Sequence, residues 1–174
     1  DLTANTNVTA TMHLADICKT AKVPRLLFSS SCAVYGDSHG AYADESFATA
    51  PQTAYARSKI AAEQQLLEIG DNNFSVCILR NATAYGHSPA LRTDLVFNDF
   101  VTRLATENKV HLLSNGGAHR PLIHCRDIAR AFLCCAEAGQ EVISGQIMNV
   151  GDDNQNIKVI ALARMICAKR NNSS

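Results

Sequence analysis

The sequence predicts an α/β chain with a parallel sheet, on three observations. Through the first 82 residues, segments of helical period alternate with short apolar runs, reading helix, strand, helix, strand. Those runs are apolar throughout rather than alternating, as expected of strands covered on both faces. The composition, 47% apolar and 18% charged over 174 residues, suits one ordinary globular domain with a real core.

Each element follows from the local pattern. Residues 6–22 carry Val8, Met12, Ala15 and Cys18 as one stripe, with Leu14 and Ile17 beside it, which predicts a helix. Val23–Phe28 predicts a buried strand that ends on Ser29, Ser30 and Ser31. A Gly-, Ser- and Ala-rich loop runs from Cys32 to about Pro51. Pro51-Gln52-Thr53 opens a second helix, which continues to Ile69 and stops at Gly70. Phe74–Leu79 is the next strand. Beyond Gly86, Asp94–Thr106 predicts a helix, Val110–Leu113 a strand, and Asn115-Gly116-Gly117 a turn. Leu122–His124 predicts a strand, and Asp127 can cap a helix to Ala138. Gln146–Val150 reads as a strand and residues 156–168 as a last amphipathic helix.

Several function classes fall away. The formal net charge is zero, so nothing marks a nucleic-acid or anionic-membrane partner. No apolar run approaches the ~20 residues that span a bilayer, and Asp1–Asn5 has no signal-peptide pattern. The seven cysteines are odd in number and form no C-x-x-C, as in a cytoplasmic protein with reduced thiols. A catalytic cysteine is the alternative, strongest at Cys32. The sequons at Asn7, Asn73, Asn81, Asn171 and Asn172 then carry no meaning. His119 and His124 are too isolated for a metal site, and no metal is expected.

The chemistry concentrates in Tyr55-Ala56-Arg57-Ser58-Lys59. A spacing of four puts Tyr55 and Lys59 on one helix face, one turn apart. A free tyrosine, with a pKa of roughly 10, is a poor base at neutral pH. A neighbouring ammonium favours phenolate, so the phenol can take a proton from a substrate hydroxyl. Such pairs also occur on many helices by chance. Ser29, Ser30 and Ser31 close an apolar strand, where open α/β sheets bind ligands, although serine-rich strand exits are common. Together the features are more specific: a hydroxyl at a strand end, with Tyr55 placed 24 positions after Ser31.

The run Phe28-Ser-Ser-Ser-Cys-Ala-Val-Tyr35-Gly36-Asp37, followed by Asp44-Glu45, Pro51 and the Tyr55/Lys59 pair, resembles the extended short-chain dehydrogenases/reductases. Within them it is similar to the NAD-dependent epimerase/dehydratase group that includes UDP-glucose 4-epimerase. Asn7-Val8-Thr9-Ala10-Thr11 resembles the group's N-V-x-G-T, with Ala10 for glycine. Leu79–Gly86 resembles L-R-x-x-N-x-Y-G, Gly117–Asp127 resembles G-x-x-R-D-x-I-H-V-x-D, and Asn149-Val150-Gly151 matches N-V-G.

The resemblance implies a partial Rossmann-type doubly wound parallel sheet plus part of a small α/β substrate-binding region. Residues 1–82 would be the C-terminal half of the NAD-binding domain. Residues 83–174 would be mainly substrate-binding, with 121–140 returning to the Rossmann domain. Ser31, Tyr55 and Lys59 would be catalytic. Asn7, Ser29, Ser30, Tyr55, Lys59 and Ala82 would face the cofactor, NAD, with NADP left open. Ser31, Thr83, Asn98 and Arg120 would face a nucleotide-sugar substrate, the Arg120 fork suiting a diphosphate. His124 would be structural. Relatives often pair through the helices at 6–22 and 51–69, which implies a homodimer by analogy.

Departures shape the expectation. Sugar-nucleotide dehydratases place Asp-Glu after the catalytic hydroxyl, where this chain has Cys32 and Ala33, so an epimerase is favoured. A ketone reductase and a non-enzymatic dinucleotide-sensing relative are the alternatives. Thr83 stands where the group's pattern has asparagine, and Pro121 where it has aspartate. No G-x-G-x-x-G occurs anywhere, and the chain opens on a helix. It is therefore expected to lack the start of the cofactor domain and to bind NAD poorly alone.

Overall fold

The computed structural model describes residues 3, 5–38 and 41–171. They form two compact units. One comprises the described residues up to Ala82 together with Ala129–Val150. The other comprises Thr83–Ile128 and the described residues from Gly151 onward.

The first unit opens with a π-helical turn, Asn5–Thr9, that leads into helix α1, Ala10–Thr20. Lys22 adopts φ +58°, and Val23 N–H returns to the Cys18 carbonyl at 2.9 Å, so the helix stops short of residue 22. Strand β1, Arg25–Ser31, runs through all three serines. A 3₁₀ turn, Cys32–Tyr35, follows. Helix α2, Ala54–Ile69, begins at Thr53, whose hydroxyl accepts the Ala56 N–H at 3.1 Å. Strand β2 is Ser75–Asn81.

Strands β3, Thr83–Tyr85, and β4, His119–His124, belong to the second unit and flank helix α3, Val96–Glu107. Helix α4, Cys125–Glu137, begins in the second unit, and its residues from Ala129 belong to the first. Helix α5, Gln140–Ile143, and strand β5, Gln146–Val150, complete the first unit. The second unit ends with a 3₁₀ turn at Asp153–Gln155, strand β6 at Asn156–Lys158 and helix α6, Val159–Asn171.

The first unit's sheet has the order β1-β2-β5 and is parallel throughout. All seven residues of β2 are buried, which explains the unbroken apolar run. On one face Ile78 and Val76 pack with Phe28, Ala15, Ala62, Leu66 and Phe74. On the other, Cys77 and Leu79 pack with Cys135 and Ile143. Burial, and then the neighbouring Cys135, push the Cys77 thiol up to about 12, so it stays protonated and acts as an apolar group. Leu66 is fully buried. Leu66→Ala is expected to cost about 2–5 kcal/mol in urea unfolding.

The structure corrects three expectations. Residues 110–113 form no strand. Asn108 turns the chain in the left-handed region at φ +56°, and the Leu113 side chain is fully exposed. Residues 156–158, read as helix, are β6, paired antiparallel with β4 from His119↔Lys158. Asp127 lies inside the first turn of α4 rather than capping it. Ala129–Val150 rejoins the first unit, where β5 pairs with β2.

Candidate active site

The site begins with the pleat. Ser29 and Ser31 share one face of β1, and Ser30 takes the other. Ser30 is accordingly buried and its hydroxyl donates to Glu63 Oε1. Only its carbonyl, which accepts Asn81 Nδ2 at 3.3 Å, turns toward the end of β2. The Ser31 hydroxyl accepts the Ala33 N–H at 3.2 Å and so caps the 3₁₀ turn.

Helix α2 brings Tyr55 and Lys59 to this strand end. Lys59 Nζ donates to the Ser29 carbonyl at 2.8 Å. The ammonium lies 4.6 Å from the centre of the Phe28 ring and 5.7 Å from that of Tyr55. Tyr55 is 45% exposed, open to a reacting partner. Asn7 Nδ2 donates to Ser58 Oγ at 3.0 Å, and that hydroxyl donates to the Tyr55 carbonyl at 2.8 Å. The first unit thus links Asn7, Ser29, Tyr55 and Lys59, with Ser31 on the same face of β1 as Ser29. Ala82 follows β2, buried, with its N–H on the Val150 carbonyl at 2.9 Å.

Burial lowers the Lys59 pKa below its ordinary 10.5, and the Glu63 carboxylate opposes that shift. The unfolded chain therefore holds this proton to higher pH than the folded one. Stability contributed by Lys59 rises with pH through the window just below 10.5, where only the folded form has released the proton. In urea melts across that window, Lys59→Met is expected to show a flatter rise than the wild type.

The sequence assigns no role to Asn81, Glu63, Arg80, Tyr35 and Asn149, although all but Glu63 lie in the motifs that carry the family resemblance. Asn81 Nδ2 faces Ser29 Oγ at 3.0 Å and the Ser30 and Leu79 carbonyls at 3.3 Å. Three acceptors fix the amide orientation and leave Oδ1 buried with no partner among the described residues. Arg80 is the one charge in β2, at the end of its apolar run, and Glu63 lies one turn after Lys59.

In the second unit, Thr83 pairs with Leu122 across β3 and β4. Asn98 is buried, and its amide donates to the Arg92 carbonyl at 3.0 Å, tying down the segment before α3. Arg120 is exposed, its Nη1 donating to the His119 carbonyl at 3.1 Å. His124 packs edge-on against Tyr85, ring centres 5.3 Å apart, and its Nδ1 accepts the Arg126 N–H at 3.1 Å. A Cβ on Gly86, at φ +116°, would lie 2.6 Å from the His124 Nε2, so that turn admits only glycine. Among the described residues no group of three or more His, Cys, Asp or Glu could hold a metal, and no helix is long and apolar enough to cross a membrane.

The NAD dependent epimerase/dehydratase family model matches residues 1–151, and the chain belongs to that family of sugar-nucleotide enzymes. The dTDP-D-glucose 4,6-dehydratase of Homo sapiens is 30% identical over 159 residues, covering 91% of this chain and 44% of that protein. The UDP-glucose 4-epimerase of Yersinia pestis is 38% identical over 89 residues, 49% of this chain and 26% of that protein. The structure of MoeE5 in complex with UDP-glucuronic acid and NAD superposes with a TM-score of 0.85 at 28% identity, covering 95% of this chain and 54% of that one. The chain spans about half the length of such relatives.

Proposed function

We propose that this chain carries the catalytic portion of an NAD-dependent sugar-nucleotide epimerase, with Ser31, Tyr55 and Lys59 as its centre. The observation that carries this is the 2.8 Å bond from Lys59 Nζ to the Ser29 carbonyl, which docks the Tyr55 helix on the serine strand end.

The residues present fit a dinucleotide. Lys59 spends one of its three N–H donors on Ser29, leaving two for ribose hydroxyls. Asn81 Oδ1 is a buried acceptor without a partner among the described residues, at the same strand end. Asn7, Ser29 and Ala82 would line the nicotinamide side. NAD supplies the hydride acceptor when bound.

The chain's own residues handle the proton. Tyr55 Oη takes it from the sugar hydroxyl, the Lys59 charge stabilises the phenolate, and the Ser31 hydroxyl hydrogen-bonds the substrate oxygen. Once the keto sugar has turned to present its other face, Tyr55 gives the proton back, so the product would be the epimer with no net change in protons. Thr83, Asn98 and Arg120 would serve the nucleotide-sugar, Arg120 toward the diphosphate. The protein would work in the cytoplasm as a homodimer through α1 and α2, where Leu14 and Ile17 are exposed.

Epimerase is preferred to dehydratase because Cys32 and Ala33 follow Ser31, and Ala33 has no group to move a proton. The dehydratase reading has its own support in the Homo sapiens relative, matched over 91% of this chain. Proton NMR of UDP- and dTDP-hexoses incubated with NAD and the longest natural protein containing this chain separates them. An epimer without net NADH is the expected product. A keto-deoxy sugar would establish the dehydratase, and a stoichiometric build-up of NADH with a keto sugar would mark the reductase running in its oxidising direction.

A further inference from the structure

A buried polar chain runs behind the candidate centre. Glu63 and Arg80 have side-chain exposures of only 3% and 5%. Arg80 Nη2 meets Glu63 Oε2 at 2.7 Å, and its Nε reaches both carboxylate oxygens at 3.2 Å. Ser30 Oγ donates to the same carboxylate. On its other side Arg80 Nη1 donates to the Tyr35 hydroxyl at 3.0 Å, which donates to Asn149 Oδ1 at 2.7 Å. Asn149 then fastens the 43–45 segment: its Nδ2 donates to the Ala43 carbonyl at 3.1 Å and its N–H to Glu45 Oε1 at 2.6 Å.

A buried ion pair is weak as a source of stability, because desolvation takes back most of the Coulomb gain. Its better use is to specify one arrangement, and the neighbours of this one say which. Ser30 adjoins Ser31. Glu63 follows Lys59 by one helical turn. Arg80 adjoins Asn81, and Tyr35 ends the turn that Ser31 caps. Drawing Ser30 inward also fixes Ser29 and Ser31 on the opposite face, since a slip of one residue would exchange them.

We propose that Glu63, Arg80 and Tyr35 are positioning residues, holding the Ser31 hydroxyl and the Lys59 turn in register through the Ser30–Glu63–Arg80–Tyr35–Asn149 chain of hydrogen bonds. This rests on the epimerase reading for its catalytic consequence but not for its structural one.

The test is Tyr35→Phe. It keeps the ring against Phe47, centres 6.2 Å apart, and beneath the Arg80 guanidinium at 5.0 Å, while removing the hydroxyl that joins Arg80 to Asn149. The Ala33 amide, bonded to Ser31 Oγ, reports directly on the catalytic hydroxyl by hydrogen exchange. Its exchange is expected to rise about tenfold while the β2 amides keep their protection. In the longest natural protein containing this chain, kcat is expected to fall about 10²-fold, with KM for the sugar nucleotide unchanged. Unchanged exchange at Ala33 overturns the proposal. So does equal loss of protection along β2, which marks general loosening, or a change confined to KM. If the wild-type protein turns over no sugar nucleotide, the proposed function fails, and exchange at Ala33 decides the positioning alone. Should Tyr35→Phe not fold, Asn149→Ser cuts the same chain one link further on, with the same readouts.

Discussion

Tyr55→Phe is expected to lower sugar-nucleotide turnover by about 10²–10⁴-fold, the usual contribution of a positioned acid/base group. The aromatic ring stays, so its contact with the Lys59 ammonium, 5.7 Å from the ring centre, survives the change. Tyr55 caps nothing and buries little, being 45% exposed in the first turn of α2, so urea unfolding should be nearly unaltered. Its hydroxyl is the only atom lost. A variant with normal folding and near-normal turnover would place the proton transfer elsewhere, with Cys32 the next group to test.

Glu63→Leu is expected to destabilise the chain by about 3–5 kcal/mol, measured by urea unfolding, because it strands Arg80 in the interior. Burial works against the Arg80 charge, but the hydrogen bonds it donates to Glu63 and Tyr35 outweigh that and hold the guanidinium above its ordinary value. An arginine cannot escape by losing its proton. The double variant Glu63→Leu/Arg80→Leu removes both charges, so it is expected to lose less than Glu63→Leu alone. A double variant as unstable as the sum of both singles would mean that the two side chains pack independently.

The elements that were legible in the sequence are those whose signal is local. α1, α2, β1, β2 and β5 each carry their own stripe or apolar run, and the cap at Thr53 and the stop at Gly70 bracket α2. The Tyr55/Lys59 pair was legible because a spacing of four has one meaning on a helix. Where a reading needed a partner, the sequence was silent. Val110–Leu113 has the composition of a strand but no neighbour to pair with, whereas Asn156–Lys158 looks helical and becomes β6 because β4 offers an edge. The three serines read alike in the sequence because nothing local tells which of them faces the core. Once they are inside β1, the pleat sends Ser30 to Glu63. The Arg80–Glu63 pair joins residues 17 apart, and Tyr35–Asn149 residues 114 apart, so no local pattern could show them.

The most direct measurement runs the reaction in deuterium oxide, using the longest natural protein containing this chain, and reads the isolated sugar by NMR. Hydride removed and returned at one carbon, with Tyr55 moving only the hydroxyl proton, leaves that carbon free of deuterium in both epimers. Deuterium bound to the epimerised carbon, or to the carbon beside it with loss of water, would contradict that chemistry and assign the site to deprotonation or elimination instead.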